Sequence, residues 1–244
     1  MSECSGPDHR SLKNKCLIVK RCFFNAWYGD IVHPVAETTA RDRILLAAER
    51  LIAERGQQVP LRDIAAAAGQ RNNSAVQYHF GSRDGLIEAV VERRIATLEV
   101  RRLELLAERA GGDTPHDVHT LLEALVAPMF ELVARHGIGY YARFLEQIRT
   151  RPAVTDEANL DGERRTSVRV IMYRLERGLP ELEPQLRVRR LRRLSTVLFA
   201  LLADHERAVE DGRVDARDVT AWAETIDMLA GLLTAPVAER APIR

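Results

Sequence analysis

From about Glu37 onward, apolar residues recur every three or four positions, the spacing of helices with one buried face. Ile44, Leu45, Ala48, Leu51 and Ile52 fall on one such face, with Thr38 or Thr39 placed to cap the helix and Gly56 placed to end it. A second helix begins near Pro60, turns Leu61, Ile64, Ala65 and Ala68 inward, and stops at Gly69. A short helix over about 73–80 sets Val76 and Phe80 four apart on one face. Ser82 and Asp84 then open a long helix, about 82–108, carrying Leu86, Ile87, Val90, Val91, Ile95 and Leu98. Gly111-Gly112 breaks the pattern. Five further helices are expected near 115–136, 139–150, 159–178, 184–211 and 216–234, separated by HGIG, RTRP, RGLPELEP and EDGRVD. No strand-like alternation, hairpin dipeptide or internal repeat interrupts them, so the fold class is all-α.

Composition supports that class and narrows the rest. The chain has 244 residues, 46% hydrophobic and only 5% aromatic, rich in Leu, Ala, Arg and Glu. No apolar run reaches the ~18 residues of a membrane span. The net charge is +1, so any nucleic-acid contact must come from a local site rather than from the overall field. Residues 1–37 differ from the rest. They hold all three cysteines (Cys4, Cys16, Cys22), all three lysines (Lys13, Lys15, Lys20) and the aromatic patch CFFNAWYGD. They lack the layout of a signal peptide and any CxxC pair. We expect either a disordered arm or an upstream segment attached by a misassigned start. A basic or thiol-sensing arm is the functional alternative.

The stretch GQRNNSAVQYHFGSR, residues 69–83, carries the chemistry. A loop has no need of its aromatics, and a buried helix has no use for its Asn and Gln. A helix with one face packed and one face free to hydrogen-bond accounts for both. Following the helix at 60–68, it makes a helix-turn-helix, whose second helix fits a major groove. Arg71, Asn72, Asn73, Ser74 and Gln77 lie at its N-terminal end and outer side, where a recognition helix meets bases. Asn and Gln pair with adenine and Arg with guanine, each worth about 1–3 kcal/mol of discrimination. Tyr78, His79 and Arg83 are expected near the sugar-phosphate backbone.

RILLAAERLIAERG, LRDIAAAAG and YHFGSRDGLIEAVV, in that order and spacing, resemble the N-terminal domain of the TetR family of transcriptional repressors over residues 40–95. The resemblance implies a three-helix DNA-binding domain, a larger helical domain that dimerises and binds a small effector, and a connecting helix that moves on ligand binding. It places His79-Phe80 at the family's H-F pair and Arg83 at its phosphate-binding lysine. Gln77 stands where the family usually has a phosphate-contacting tyrosine, with Tyr78 beside it. Pro60 replaces the usual threonine cap. The turn between Gly69 and Phe80 is one residue longer than the common pattern, which shifts the base-contact register by about one position.

The domain boundaries expected are 38–84 for DNA binding, 85–235 for effector binding and dimerisation, and 236–244 as a tail. Met129, Phe130, Tyr140, Tyr141, Phe144, Met172 and Tyr173 gather in the middle helices. They read either as ordinary core or as a mainly apolar effector pocket, with Arg143, Glu146 and Gln147 to orient a polar head. Leu194, Leu198 and Leu201 on one late helix, with Trp222, Ile226 and Leu229 on the last, are expected at a homodimer interface. A membrane-surface helix is the alternative for 186–209. Arg187, Arg189, Arg190, Arg192 and Arg193 then form a solvated face. His116 and His119 have a spacing that could hold a metal, but the other ligands are missing, and Thr114 and Pro115 suit a helix start. No metal, cofactor or catalytic motif is expected. The reading is a ligand-responsive DNA-binding homodimer in the bacterial cytoplasm, its partners double-stranded DNA and a small effector. A helical effector-binding or scaffolding protein without DNA binding is the alternative.

Overall fold

A computed structural model describes residues 39–70, 72, 74–110, 117–136, 139–151, 154 and 165–237. The segment 1–37, Arg71, Asn73, Thr114, Pro115, His116 and the end of the tail lie outside these. Among the described residues the elements are helices: α1 (Ala40–Arg55), α2 (Leu61–Ala67), α3 (Ala75–Phe80), α4 (Arg83–Ala110), α5 (Val118–His136), α6 (Tyr141–Ile148), α7 (Thr166–Arg177), α8 (Pro184–Glu210) and α9 (Val219–Thr234). The all-α expectation holds.

Local chemistry sets the ends. Thr39 caps α1, its hydroxyl oxygen accepting from Asp42 N at 3.1 Å. Asp117 caps α5 by accepting from Thr120 N at 2.7 Å, so that helix starts later than the sequence suggested. Glu183 and Asp218 do the same for α8 and α9. Gly81 ends α3 at φ +70°, where a side chain would be strained, and donates its N–H to Gln77 O.

Packing crosses the expected 84/85 boundary. α1 lies on α2 and α4 of the head, and also on α6. α6 is in turn gripped by α8, and α5 fills the space among α4, α7 and α9. The core therefore runs from Ile44 and Leu45 through Phe144 and Ile148 to Leu198 and Leu229.

The expected dimer stripe is corrected by this packing. Leu194 and Leu198 are 1% and 4% exposed in the single chain, and Trp222, Ile226 and Leu229 are 8%, 6% and 0%. α8 and α9 bury this stripe against each other and, through α6 and α5, against the chain's own body. Only Leu201 of the six is half-exposed and free to meet a second copy. Heptad-like spacing reports that a face is buried; it does not report by which helix. The arginines of α8 are also not uniformly solvated: Arg187 donates to Leu182 O and Arg190 to Leu233 O.

Candidate functional site

The side chains expected to meet DNA take several different roles on the head. Val76 is wholly buried and anchors α3, Phe80 is half-buried under the Arg41 guanidinium, and Gln77 and Tyr78 face outward, Tyr78 at 84% exposed. Asn72 and Ser74 are exposed too, but Asn72 Oδ1 accepts from Ser74 N at 2.9 Å and so shapes the turn before α3. His79 is half-buried and packs edge-on against Tyr78 at 5.0 Å. Arg83 differs from expectation. Its Nη1 donates to Gln57 O and Val59 O, at 2.9 and 2.7 Å, so it braces the α1–α2 connection while standing beside the DNA-facing end of the head. Arg71 and Asn73 lie outside the described residues.

A second site lies between α5, α6 and α8. Met129, Phe130, Leu132 and Val133 from α5, Tyr141 and Ala142 from α6, and Leu202, His205 and Glu206 from α8 enclose a cavity of about 10 Å³. Met129, Phe130 and Tyr141 were expected to meet, and they do. The other expected pocket residues do not line it. Phe144 is fully buried behind Tyr141, with ring centres 6.3 Å apart. Tyr140 lies under the Arg143 guanidinium. Met172 is half-buried on α7, and Tyr173 is 58% exposed there, accepting from Arg177. Arg143 and Glu146 do not line it either: Arg143 is engaged by Glu210 at 2.6 Å, and Glu146 pairs with Arg207. Gln147 also stays outside the lining.

The polar groups at the cavity are ones the sequence hid. Glu206 accepts from Ala142 N and Arg143 N, both at 3.0 Å, and so satisfies the open amides at the start of α6. Burial pushes its carboxyl up to about 7, against the pull of those two N–H groups and Arg143. Gly139 makes room for it: a Cβ there would lie 2.6 Å from Glu206 Oε1 and 2.7 Å from Val133 Cγ2. His205 lies against Phe130 with ring centres 4.4 Å apart and planes tilted by 51°, and burial holds its pKa below the usual histidine value. Burial likewise pushes the Tyr141 phenol up to about 12. One signal could have found this pair. The apolar stripe 191, 194, 198, 202 continues at 205 and 206, so a His and a Glu occupy core positions.

Tyr141 also faces the head. The Arg94 guanidinium of α4 sits 5.9 Å from its ring and forms a two-pronged pair with Glu49 of α1, at 2.6 and 2.7 Å. Lower on α4, Glu99 takes the N–H and hydroxyl of Ser167 at 2.7 and 2.5 Å. Buried acids thus tie α1, α4, α6, α7 and α8 together.

Two family models match this chain. Bacterial regulatory proteins of the tetR family match residues 44–90, over the head, and the tetracyclin repressor-like C-terminal domain matches 123–235. The chain belongs to the TetR family. This TetR-family chain is 34% identical over 95 residues to the HTH-type transcriptional repressor BepR of Brucella suis biovar 1 (strain 1330). That match spans 38% of the chain and 42% of the relative's length. Among solved structures, a TetR-like transcriptional regulator from Rhodococcus sp. RHA1 aligns with 82% of this chain and 96% of its own, at 16% identity and a TM-score of 0.46. NalD, the secondary repressor of the MexAB-OprM multidrug efflux pump in Pseudomonas aeruginosa, aligns with 80% of this chain and 98% of its own, at 22% identity and a TM-score of 0.43. At those scores neither superposition bears on this chain's ligand or partners.

Proposed function

We propose that this TetR-family protein is a homodimeric repressor of the bacterial cytoplasm that reads a palindromic operator and is released by a small, mainly apolar effector. The outward face of α3 carries the DNA half of this reading: Val76 is fixed in the core while Gln77 and Tyr78 stand free of it. The N-terminal family match over 44–90 supports the same assignment. A dimer sets two such heads about one helical turn apart, which fits a two-fold operator. Met129, Phe130 and Tyr141 support an apolar effector site, since they line one cavity. Release then follows when the effector binds the DNA-incompetent spacing of the heads more tightly than the competent one.

Selection from a random duplex library at near-physiological salt tests the DNA half. The expected outcome is an enriched palindrome. Asn73→Ala should relax the selected sequence, while Arg83→Ala should weaken binding to all sequences alike. Equal loss on operator and random DNA in both variants would overturn that division. No enriched palindrome would favour an effector-binding protein without DNA recognition.

A further inference from the structure

Three side chains with polar atoms, Tyr141, His205 and Glu206, line an otherwise apolar cavity between α5, α6 and α8. His205 is only 8% exposed, and its Nε2 has no hydrogen-bond partner. Native proteins rarely leave such an atom unmatched, because an unmade buried hydrogen bond costs about 1–3 kcal/mol. Glu206 spends one lone pair of each oxygen on the α6 amides and keeps the others. No Lys or Arg lines the space. The nearest guanidinium is Arg143, which pairs with Glu210 at 2.6 Å and donates to Gly139 O at 3.1 Å, while its buried Nε, without a hydrogen-bond partner, lies 3.7 Å from Glu206.

The wider surroundings carry both signs. Glu49 of α1 adds negative field at Glu206, and Asp218 does so at His205. Arg94 of α4 is held by Glu49, and the Tyr141 phenol stays neutral. Glu206, Glu210, Glu49 and Asp218 thus stand with Arg143 at Glu206 and with Arg94, Arg102 and Arg165 around Tyr141. A cavity of about 10 Å³ accommodates one water-sized group, which is also the size of an ammonium head.

We propose that this cavity receives the cationic head of an alkyl- or arylammonium compound, an assignment that rests on the effector reading above. One N–H of the head donates to His205 Nε2 and another to a free lone pair of Glu206. The apolar body follows Met129, Phe130 and Leu202 as the helices part. A carboxylate or phosphate head is disfavoured, since it would meet Glu206 while Arg143 is paired with Glu210 and Arg94 with Glu49. A neutral hydroxyl reaches His205 but gains nothing from the charge.

Calorimetric titration of the full-length protein with n-hexylammonium, 1-hexanol and hexanoate at pH 8 tests this without any variant. Hexylammonium should bind at least tenfold more tightly than hexanol, and hexanoate should not bind. Hexylammonium stays charged between pH 8 and 6 while Glu206 takes up a proton, so its affinity should fall over that interval. His205→Phe, which keeps an aromatic ring against Phe130, should lose at least tenfold. Hexanoate binding as well as the amine, three equal affinities, or no amine binding (a cavity that holds only water) would each overturn the proposal. An enriched palindrome alongside any of these results leaves the DNA reading standing; its absence counts against that reading whatever the amines do.

Discussion

Glu49 shows how much one side chain can hold. Its carboxylate is 4% exposed and joined by two hydrogen bonds to Arg94, whose side chain is 16% exposed. Removing one partner of a buried pair strands the other charge, a loss of about 3–5 kcal/mol, whereas replacing both with apolar groups is far milder. Glu49→Ala should therefore lower the urea midpoint sharply, and adding Arg94→Met should restore a good part of it. A single-variant loss below about 1 kcal/mol would mean that water reaches the pair. In the sequence, Glu49 is one more glutamate in an Arg- and Glu-rich helix, and nothing in its spacing marks it as buried. The same blindness explains Glu99, Glu206 and Arg83. Charge partners are set by tertiary contact, and period carries no information about them.

Helices were the most legible level. Period, capping residues and glycine stops gave the nine helices named among the described residues, with ends shifted by a few residues where a different side chain caps, as Asp117 does for α5. The buried face of α3 was legible for the same reason: Val76 repeats with Phe80, and the polar residues fall opposite. Gly81 stops α3, and its φ of +70° shows why glycine suits the position. No atom lies within 4 Å of a Cβ built there, so the cost of Gly81→Ala is purely that of the backbone, about 1 kcal/mol. For a chain of this length that corresponds to a fall of about 2–4 °C in Tm, measurable by calorimetry. Partner choice between helices was not legible. α8 and α9 repeat like an intermolecular bundle, yet their main stripe is spent inside the chain.

For the molecule as a whole, the buried acid at the start of α6 makes stability depend on pH in an unusual direction. The folded-state pKa of Glu206 is about 7, above its ordinary value of 4.5. Between those values the folded chain keeps a proton that the unfolded chain gives up. Stability from this group is therefore greatest below about pH 4.5 and declines as pH rises to 7, by about 3 kcal/mol in all. Urea titrations at pH 5, 6 and 7.5 should show Glu206→Gln with a flatter profile than the parent chain over this interval. Parallel profiles would mean that the two amide hydrogen bonds already hold the carboxylate charged.

Gly139 gives the same anchor a meaning across lineages. Its φ is not in the left-handed region, so the backbone does not demand glycine; the crowding comes from Glu206 Oε1 and Val133 Cγ2, both under 3 Å from a would-be Cβ. The two positions, 67 residues apart in a chain of 244, are coupled by this contact. A line of descent that keeps the glutamate is expected to keep the glycine. One that loses the glutamate is free to drift at 139, and its ligand should drift with it.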